Sequence, residues 1–318
     1  RFTIQLIQNI MKKLSLLFLI IFLGFTAYCQ NVGSSPEYIQ AITAQWKGER
    51  FADGRPKVPD ELLERLKKLP IEGVWSVLRN RGYSNQFEGN WTVLLPDEPM
   101  TGRVVTAQYM PLRPDLDEWV KTQGKLEKRA DPPTNSWPID VLVNGDVYVA
   151  DSYGKVDDGP ILGDNLGTAI YTKSKRGVIV YGTVRDPEGL KMIGGFNSWS
   201  KGIDASFLQQ MMLTSINAPI RIGHATVLPG DVVLAKSHGV LFIPAHLVEE
   251  VVTTAEVTQI RDEFGWARLK AGIYRPGQID SQWTEEIKKD FLDFVKNYHG
   301  KLPMTTEQFE RYMKERNW

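Results

Sequence analysis

Between Gly163 and Leu190 the chain reads GDNLGTAIYTKSKRGVIVYGTVRDPEGL, and its middle holds the most restrictive feature of the sequence. VIVYG, beginning at Val178, is a short, continuously apolar run, the pattern of a strand covered on both faces rather than on one. Upstream, Asn165 to Arg176 has helical character and closes at Gly177. A helix feeding a fully covered strand, behind stretches that themselves read as strands, makes a strand, helix, strand unit with a parallel pair. The class is α/β.

The earlier strands begin at Gly102, where GRVVTAQYM alternates as one strand. IDVLVNGDVYVADS reads either as two strands about an Asn144-Gly145 turn or as a loop leading into one strand. Two amphipathic helices come before them. PDELLERLKKL, residues 59–69, has Pro59 at its start, acids in the first turn, lysines in the last, and Leu62, Leu63, Leu66 and Leu69 on one side. IEGVWSVLRNRG follows and stops at Gly82. The pair is expected to cap a sheet. Further on, APIRIGHATVLPGDVVLAKSHGVLFIPA supplies three short strands punctuated by Pro229-Gly230 and His238-Gly239, and AHLVEEVVTTAEVTQIRDEF opens a helix. The tail carries amphipathic stretches with Ile287, Phe291, Phe294 and Val295 on one face. Those rings and Trp283 suit either closing a pocket or holding an oligomer together.

The first thirty residues are a separate object. Met11 opens MKKLSLLFLIIFLGFTAYCQ, in which Lys12 and Lys13 precede the apolar run Leu14 to Leu23, and Ala27, Tyr28 and Cys29 fit the small-x-small pattern of a cleavage site. The run is nearer half of the ~20 residues that span a bilayer. The expectation is a secretory signal peptide within residues 1–29, with residues 1–10 as upstream read-through and an exported mature protein starting at Gln30. Tyr28 is bulky where lipoprotein signals want a small residue, which argues against attachment through Cys29. Cleavage removes the single cysteine, leaving no disulfide and no cysteine nucleophile. It also takes three of the 38 basic side chains and none of the 38 acidic ones, for a net charge of about −3. No basic concentration of the kind that displaces counterions from nucleic acid is present, so small-molecule chemistry is favoured. Residues 30–57 read as an arm lying over a neighbouring surface.

The carboxyl ends of parallel strands are where α/β folds seat ligands, because loops and helix N-termini converge there. Arg185 and Asp186 leave VIVYG at such an end. Gly163-Asp164-Asn165-Leu166-Gly167 opens the preceding helix, whose first amides and dipole suit an anion. An arginine fork suits a carboxylate, and a carboxylate in oxygen-rich surroundings suits Mg²⁺ or Mn²⁺. Together these parts describe a site for a metal and a small carboxylic acid; a surface salt bridge or loop cap is the alternative that the same residues satisfy. The histidines at 224, 238, 246 and 299 form no HxH or HExxH grouping, so a zinc site is not expected, and His238 reads as a turn residue. No G-x-S-x-G elbow, Walker loop or GxGxxG after a strand appears, and Gly194-Gly195 is too little for a nucleotide fingerprint. Serine hydrolase, kinase and dehydrogenase chemistry lose ground.

Three blocks, GDVYVADSYGK, GDNLGTAIYTKSKRGVIVYGTVRD and LPGDVVLAKSHGVLFIP, in this order resemble the RraA-like family. That family groups the regulators of ribonuclease E activity with metal-dependent 4-hydroxy-4-methyl-2-oxoglutarate aldolases that also decarboxylate oxaloacetate. The likeness spans roughly residues 58–257, which implies an RraA-like catalytic domain there and a helical extension over 258–318. The implied fold is a swivelling β/β/α three-layer sandwich with added helical extensions, assembled as a homotrimer or homohexamer with active sites between subunits. By the same resemblance Asp186 holds the divalent metal, Mg²⁺ or Mn²⁺, and Arg185 grips the substrate carboxylate. Asp164, twenty-two positions before Asp186, orients metal-bound water or an ionisable group. Gly163 and the backbone amides of Asn165 and Leu166 contact the keto acid. Glu263, or in its place Asp262, of a neighbouring subunit completes the site.

The chain departs from the family pattern in places. Gly189 stands where an acid is often found three places after the metal aspartate, with Glu188 one place earlier. Lys236, Ser237, His238 and Gly239 stand where the family often has Asp-x-Asp-Gly, and the arm and tail are additions. The seat for metal and carboxylate is intact, and the substrate is left open. The activity implied is a divalent-metal-dependent lyase that cleaves a C–C bond of a 2-keto acid, by retro-aldol reaction or oxaloacetate decarboxylation, through a metal-stabilised pyruvate enolate and without a Schiff-base lysine. The alternative from another class is a non-catalytic binding or regulatory protein, as in the ribonuclease-regulator branch, against which the signal peptide argues. A methyltransferase reading has no glycine-rich cofactor loop to support it.

Overall fold

Alternation along the central strands decides the layering. The computed structural model describes residues 31–130 and 133–314, so the signal-peptide reading lies outside the described residues. The chain runs through α1 (Pro36–Ile42), α2 (Asp60–Leu66), α3 (Ile71–Asn80), the short β1 (Phe87–Glu88) and β2 (Thr92–Val93), and the long β3 (Met100–Pro111). Next come α4 (Pro114–Leu126), α5 (Trp137–Asp140), β4 (Asp146–Asp151), α6 (Asp164–Ser174), β5 (Val178–Val184), α7 (Pro187–Met192) and β6 (Ser198–Ile203). β7 (Met211–Ile216), β8 (Ile220–Ile222), β9 (Ala225–Val227), β10 (Val232–Lys236) and β11 (Gly239–Ile243) lead into α8 (Val248–Lys270), α9 (Pro276–Ile279), α10 (Glu285–Lys296) and α11 (Thr306–Lys314).

Among the described residues a nine-stranded sheet runs in the order β1-β11-β10-β3-β4-β5-β6-β2, with β7 paired to β3 beside this path. β3, β4, β5 and β6 are mutually parallel; the other pairings are antiparallel. One set of alternate residues, Val104, Val147, Val149 and Ile179, packs against Ile220, Ile222, Ala225 and Val227 of the β8–β9 hairpin. The other set, Val105, Tyr148, Ala150, Val178 and Val180, packs against Val120 of α4, Ile139 of α5 and Ile170 of α6. Further along the sheet Leu234, Leu241 and Ile243 bury the apolar faces of α2, α3 and α8. Strand side chains point alternately to opposite faces, so a strand covered by a hairpin on one side and a helix on the other must be apolar throughout. The result is the expected α/β class in β/β/α layers.

Several local readings shift. α6 ends one turn before Gly177: Lys175 takes the left-handed stop, at φ 55°. Gly177 serves packing instead, because a Cβ there would overlap the Asn197 backbone carbonyl at the entry to β6. Of the two readings of IDVLVNGDVYVADS, the loop into one strand holds: Gly145 turns the chain at φ 86°, and Asp146 Oδ2 accepts from the Val143 amide at 2.9 Å. Where three strands were expected over 218–245 there are four, since Gly223, at φ 58°, adds a hairpin turn. α2 ends at Leu66, Pro70 opens α3, and Gly82 follows the α3 C-cap at φ 86° as expected.

The arm lies on the chain's own sheet. Gly33 bridges Ile216, and the Val32 amide donates to Glu127 Oε1 at 2.5 Å. Arg55, 1% exposed, drives its guanidinium under the sheet to Asp146 at 2.9 Å and Asp53 at 2.7 Å. The tail builds a core of its own. α8 runs unbroken past residue 257, and its Phe264 ring lies 5.3 Å from the rings of both Trp283 and Phe291. Ile287, Phe291 and Val295 are buried in this cluster with Phe294 against it, so this apolar face of the tail is covered within the chain, while Trp266 and Ile273 stay exposed. Among the described residues no helix is long and apolar enough to cross a membrane.

Candidate functional site

β5 delivers Arg185 and Asp186 at its carboxyl end, beside the start of α6. The Arg185 amide donates to the Leu162 carbonyl at 3.0 Å, which lays the loop before α6 against the strand end. Thr183, fully buried, ties down the other neighbouring loop by donating to the carbonyls of Lys155 and Val156, both at 3.2 Å. Asp186 then turns sharply, at φ 56° and ψ 51°, and α7 begins at Pro187. This left-handed region is one that aspartate tolerates better than most residues. The Asp186 carboxylate makes no capping bond to α7 and pairs with Arg185 Nε at 3.2 Å.

Two glycines let the charged groups pack closely against the backbone. A Cβ on Gly163, the N-cap of α6, would overlap Asp186 Oδ2 and lie 3.0 Å from Arg185 Cγ and Nε. A Cβ on Gly189, in α7, would lie 2.6 Å from Asp164 Oδ2. Gly163 is thus seated against the Arg185-Asp186 pair, and Asp164 against α7. The second contact gives the departure at position 189 a physical reason, since a side chain there would displace Asp164. Asp164 Oδ1 accepts from the Asn165 amide at 2.7 Å, so that amide is engaged inside the protein, and among the first-turn amides expected to meet a ligand Leu166 remains.

Arg185 and Asp186 are each 40% exposed along the side chain. An exposed pair of adjacent charges contributes little to stability, about 0–1 kcal/mol, so folding alone gives no strong reason for it. Among the described residues no three His, Cys, Asp or Glu side chains form a group able to hold a metal. The donor set instead fits a cation that keeps most of its waters and takes one or two carboxylates, the habit of Mg²⁺. Asp186, beside Gly163, makes no capping bond to α7.

Glu263 is not joined to this group within the chain. Its Oε2 accepts from the Tyr298 hydroxyl at 2.7 Å, and it lines a cavity of about 340 Å³ together with Arg65, Lys68 and Lys301. Asp262 is exposed, and partial desolvation pushes its carboxyl up against the opposing pull of Arg261. His238 pairs with Glu72 of α3 at 3.3 Å, in keeping with a turn residue. Asn135 escaped the sequence reading: its side-chain amide donates to the Ile161 carbonyl at 2.8 Å and props the loop that ends at Gly163. Nothing local marks it, because its partner is 26 residues away and is a backbone atom.

Comparison with known proteins bears on the family and the fold. The sequence profile of the RraA-like family, described as Aldolase/RraA, matches residues 58–242. "Protein DlpA" of Legionella pneumophila is 29% identical over 154 residues, 48% of this chain and 23% of its own length. A Halalkalibacterium halodurans protein named "Putative 4-hydroxy-4-methyl-2-oxoglutarate aldolase" is 30% identical over 119 residues, 37% of this chain and 56% of its own. The chain therefore matches less than two thirds of the length of either relative. Among solved structures, Streptomyces coelicolor RraAS2, described as an unusual member of the RNase ES inhibitor RraA protein family, superposes with a TM-score of 0.56 at 24% identity, over 67% of this chain and all of its own. That likeness is one of fold. With more than half of the 318 residues matched by the profile, and with the β/β/α layers that the resemblance implied, the chain belongs to the RraA-like family.

Proposed function

We propose that this protein is a divalent-metal-dependent lyase acting on a small 2-keto acid, by retro-aldol cleavage of a 4-hydroxy-4-methyl-2-oxoglutarate type of substrate, by decarboxylation of oxaloacetate, or by both. One observation carries the reading: Gly163 and Gly189 pack without side chains against Asp186 and Asp164, at the carboxyl end of a parallel strand and the start of a helix. A purely structural ion pair needs neither glycine.

Asp186 would hold Mg²⁺ or Mn²⁺, which when bound would supply electrophilic stabilisation of the negative charge that develops as the C–C bond breaks. Arg185 offers its fork to the substrate carboxylate, which orients the scissile bond and neutralises a charge that would otherwise oppose the one developing. The Leu166 amide and the α6 dipole add partial positive charge on the same side. In this reading Asp164, which accepts from the Asn165 amide and lies against Gly189 of α7, would hold a water that takes the proton from the 4-hydroxyl group in the retro-aldol direction. Decarboxylation has no such proton to remove, so one pocket can serve both reactions.

In this proposal the protein works as a homotrimer or homohexamer, in which Glu263 or Asp262 of a neighbouring subunit adds an acid, and it works outside the cytoplasm as the reading of residues 1–29 suggests. The family resemblance and the half-exposed Arg185-Asp186 pair support the first part. The test is pyruvate release by the purified protein from oxaloacetate and from 4-hydroxy-4-methyl-2-oxoglutarate, with Mg²⁺, Mn²⁺ or EDTA, corrected for metal-catalysed background. Metal-dependent release that disappears in Asp186→Ala is expected. No release from either substrate under any metal condition, or full activity in Asp186→Ala, overturns the assignment and moves weight to a binding role.

A further inference from the structure

We infer that a cavity between the N-terminal arm and the end of β11 is a second binding site, for a small organic amine with an apolar body, with the Asp231 carboxylate as its counter-ion. The cavity measures about 280 Å³, at the small end of the range for ligand pockets. Trp46 of the arm, Tyr83, Leu228 and Pro244 give it a mainly apolar and aromatic lining, and Asp231 and His246 are its titratable groups besides the tyrosine. It shares no residue with the site at Asp186.

Asp231 is only 5% exposed. Its Oδ2 accepts from the Leu228 amide at 2.8 Å, which closes the Pro229-Gly230 turn. Among the described residues no hydrogen bond reaches Oδ1 and no cation pairs with the carboxylate. Burying a carboxylate in this way is unfavourable unless a positive charge joins it. The arm's own cation does not serve: Arg50 spends its fork on Thr43 Oγ1 and on the carbonyls of Thr43, Trp46 and Gly54. His246 does not serve either, since burial pushes its ring down toward the neutral form and its Nε2 lies 3.4 Å from the Tyr83 hydroxyl.

Among the described residues no lysine or arginine lines the cavity, so no fixed cation stands there to hold an anion such as the carboxylates that Arg185 would take. An ammonium group supplies the missing charge. The Trp46 and Tyr83 rings accept the rest of the molecule, and an aromatic face also attracts a cation directly. Burial lifts the Asp231 carboxyl to about 7, so at pH 8 it is ionised and ready for the pair.

The experiment is isothermal titration calorimetry of the full chain at pH 8 with three probes of one shape: benzylamine, benzyl alcohol and benzoate. Benzylamine should bind at least tenfold more tightly than the other two, and Asp231→Asn should weaken it at least tenfold. Thr226 is exposed at the rim, so Thr226→Trp should weaken benzylamine to a similar degree without altering the carboxylate, and it decides the matter if Asp231→Asn does not fold. Equal binding of amine and alcohol, no binding of benzylamine, or benzylamine binding unchanged in the variants overturns the inference. None of these readouts involves turnover, so the inference stands or falls apart from the lyase reading.

Discussion

At the scale of single residues, the site depends on atoms that are missing as much as on those present. Gly163→Ala would place a methyl group on Asp186 Oδ2 and push the carboxylate or the start of α6 aside. Metal-dependent pyruvate release should then fall by about a hundredfold, the scale of a 1 Å misplacement of a reacting group, while the circular dichroism of the folded protein is retained. Asp231 yields a prediction of a different kind. Its folded-state carboxyl lies at about 7 against an ordinary 3.8, so between those values the native state binds the extra proton and the unfolded state does not. The stability that this group contributes is full below about 4 and is lost as pH rises through 7, a change on the order of 4 kcal/mol. Asp231→Asn, whose amide oxygen can still accept from the Leu228 amide, should flatten that part of the profile. The check is urea denaturation of both proteins at pH 4.5 and 7.5: an equal pH slope in the two contradicts the assignment. Of these residue-level facts, Arg185, Asp186 and Asp164 were legible in sequence because strand, loop and helix start are contiguous there. Asn135 and the missing counter-charge of Asp231 were not, because each is defined by what lies across space from it.

At the scale of elements, the arm is held by a buried charge as well as by buried apolar side chains such as Val32 and Ile39. Arg55 is 1% exposed and its partner Asp146 fully buried, and Arg55 and Arg103 both lie over the Phe51 ring, at 5.0 Å and 5.4 Å from its centre. Arg55→Leu leaves Asp146 buried with the Val143 amide at 2.9 Å and with Arg103 Nε at 3.9 Å, beyond a hydrogen bond. A buried charge stripped of its partner costs about 3–5 kcal/mol, and chemical denaturation should show a loss of that size. Replacing both partners, in Arg55→Leu with Asp146→Leu, should recover part of it. The sequence reading made residues 30–57 an arm over a neighbouring surface without singling out Arg55, because a charged side chain gives no periodic signal of burial. Helices were legible where an apolar stripe repeats, as in α3 and α10, and their ends were less so. α6 stops at Lys175 because the chain must turn back into β5, and the glycine two positions on is reserved for contact with Asn197.

At the scale of the whole molecule, the C-terminal helices close a second core around Phe264. Removing residues 271–318 would uncover Phe264, Val257 and Ile260 on α8, and the truncated chain should self-associate, visible as high-mass species in light scattering. Monodisperse behaviour after truncation would mean that α8 refolds its exposed face by itself. The sequence by itself determined the α/β class and the family, and it set the residues of the candidate site in one segment, since a doubly covered strand and a contiguous Gly-Asp…Arg-Asp segment are local patterns. Only the tertiary structure decided where the arm goes, that the aromatic tail packs on its own chain, why position 189 is glycine, and that Asp231 faces a cavity without a cation. Each of those rests on groups far apart in the chain, and the forces between them depend on distance and burial, which the order of residues does not carry.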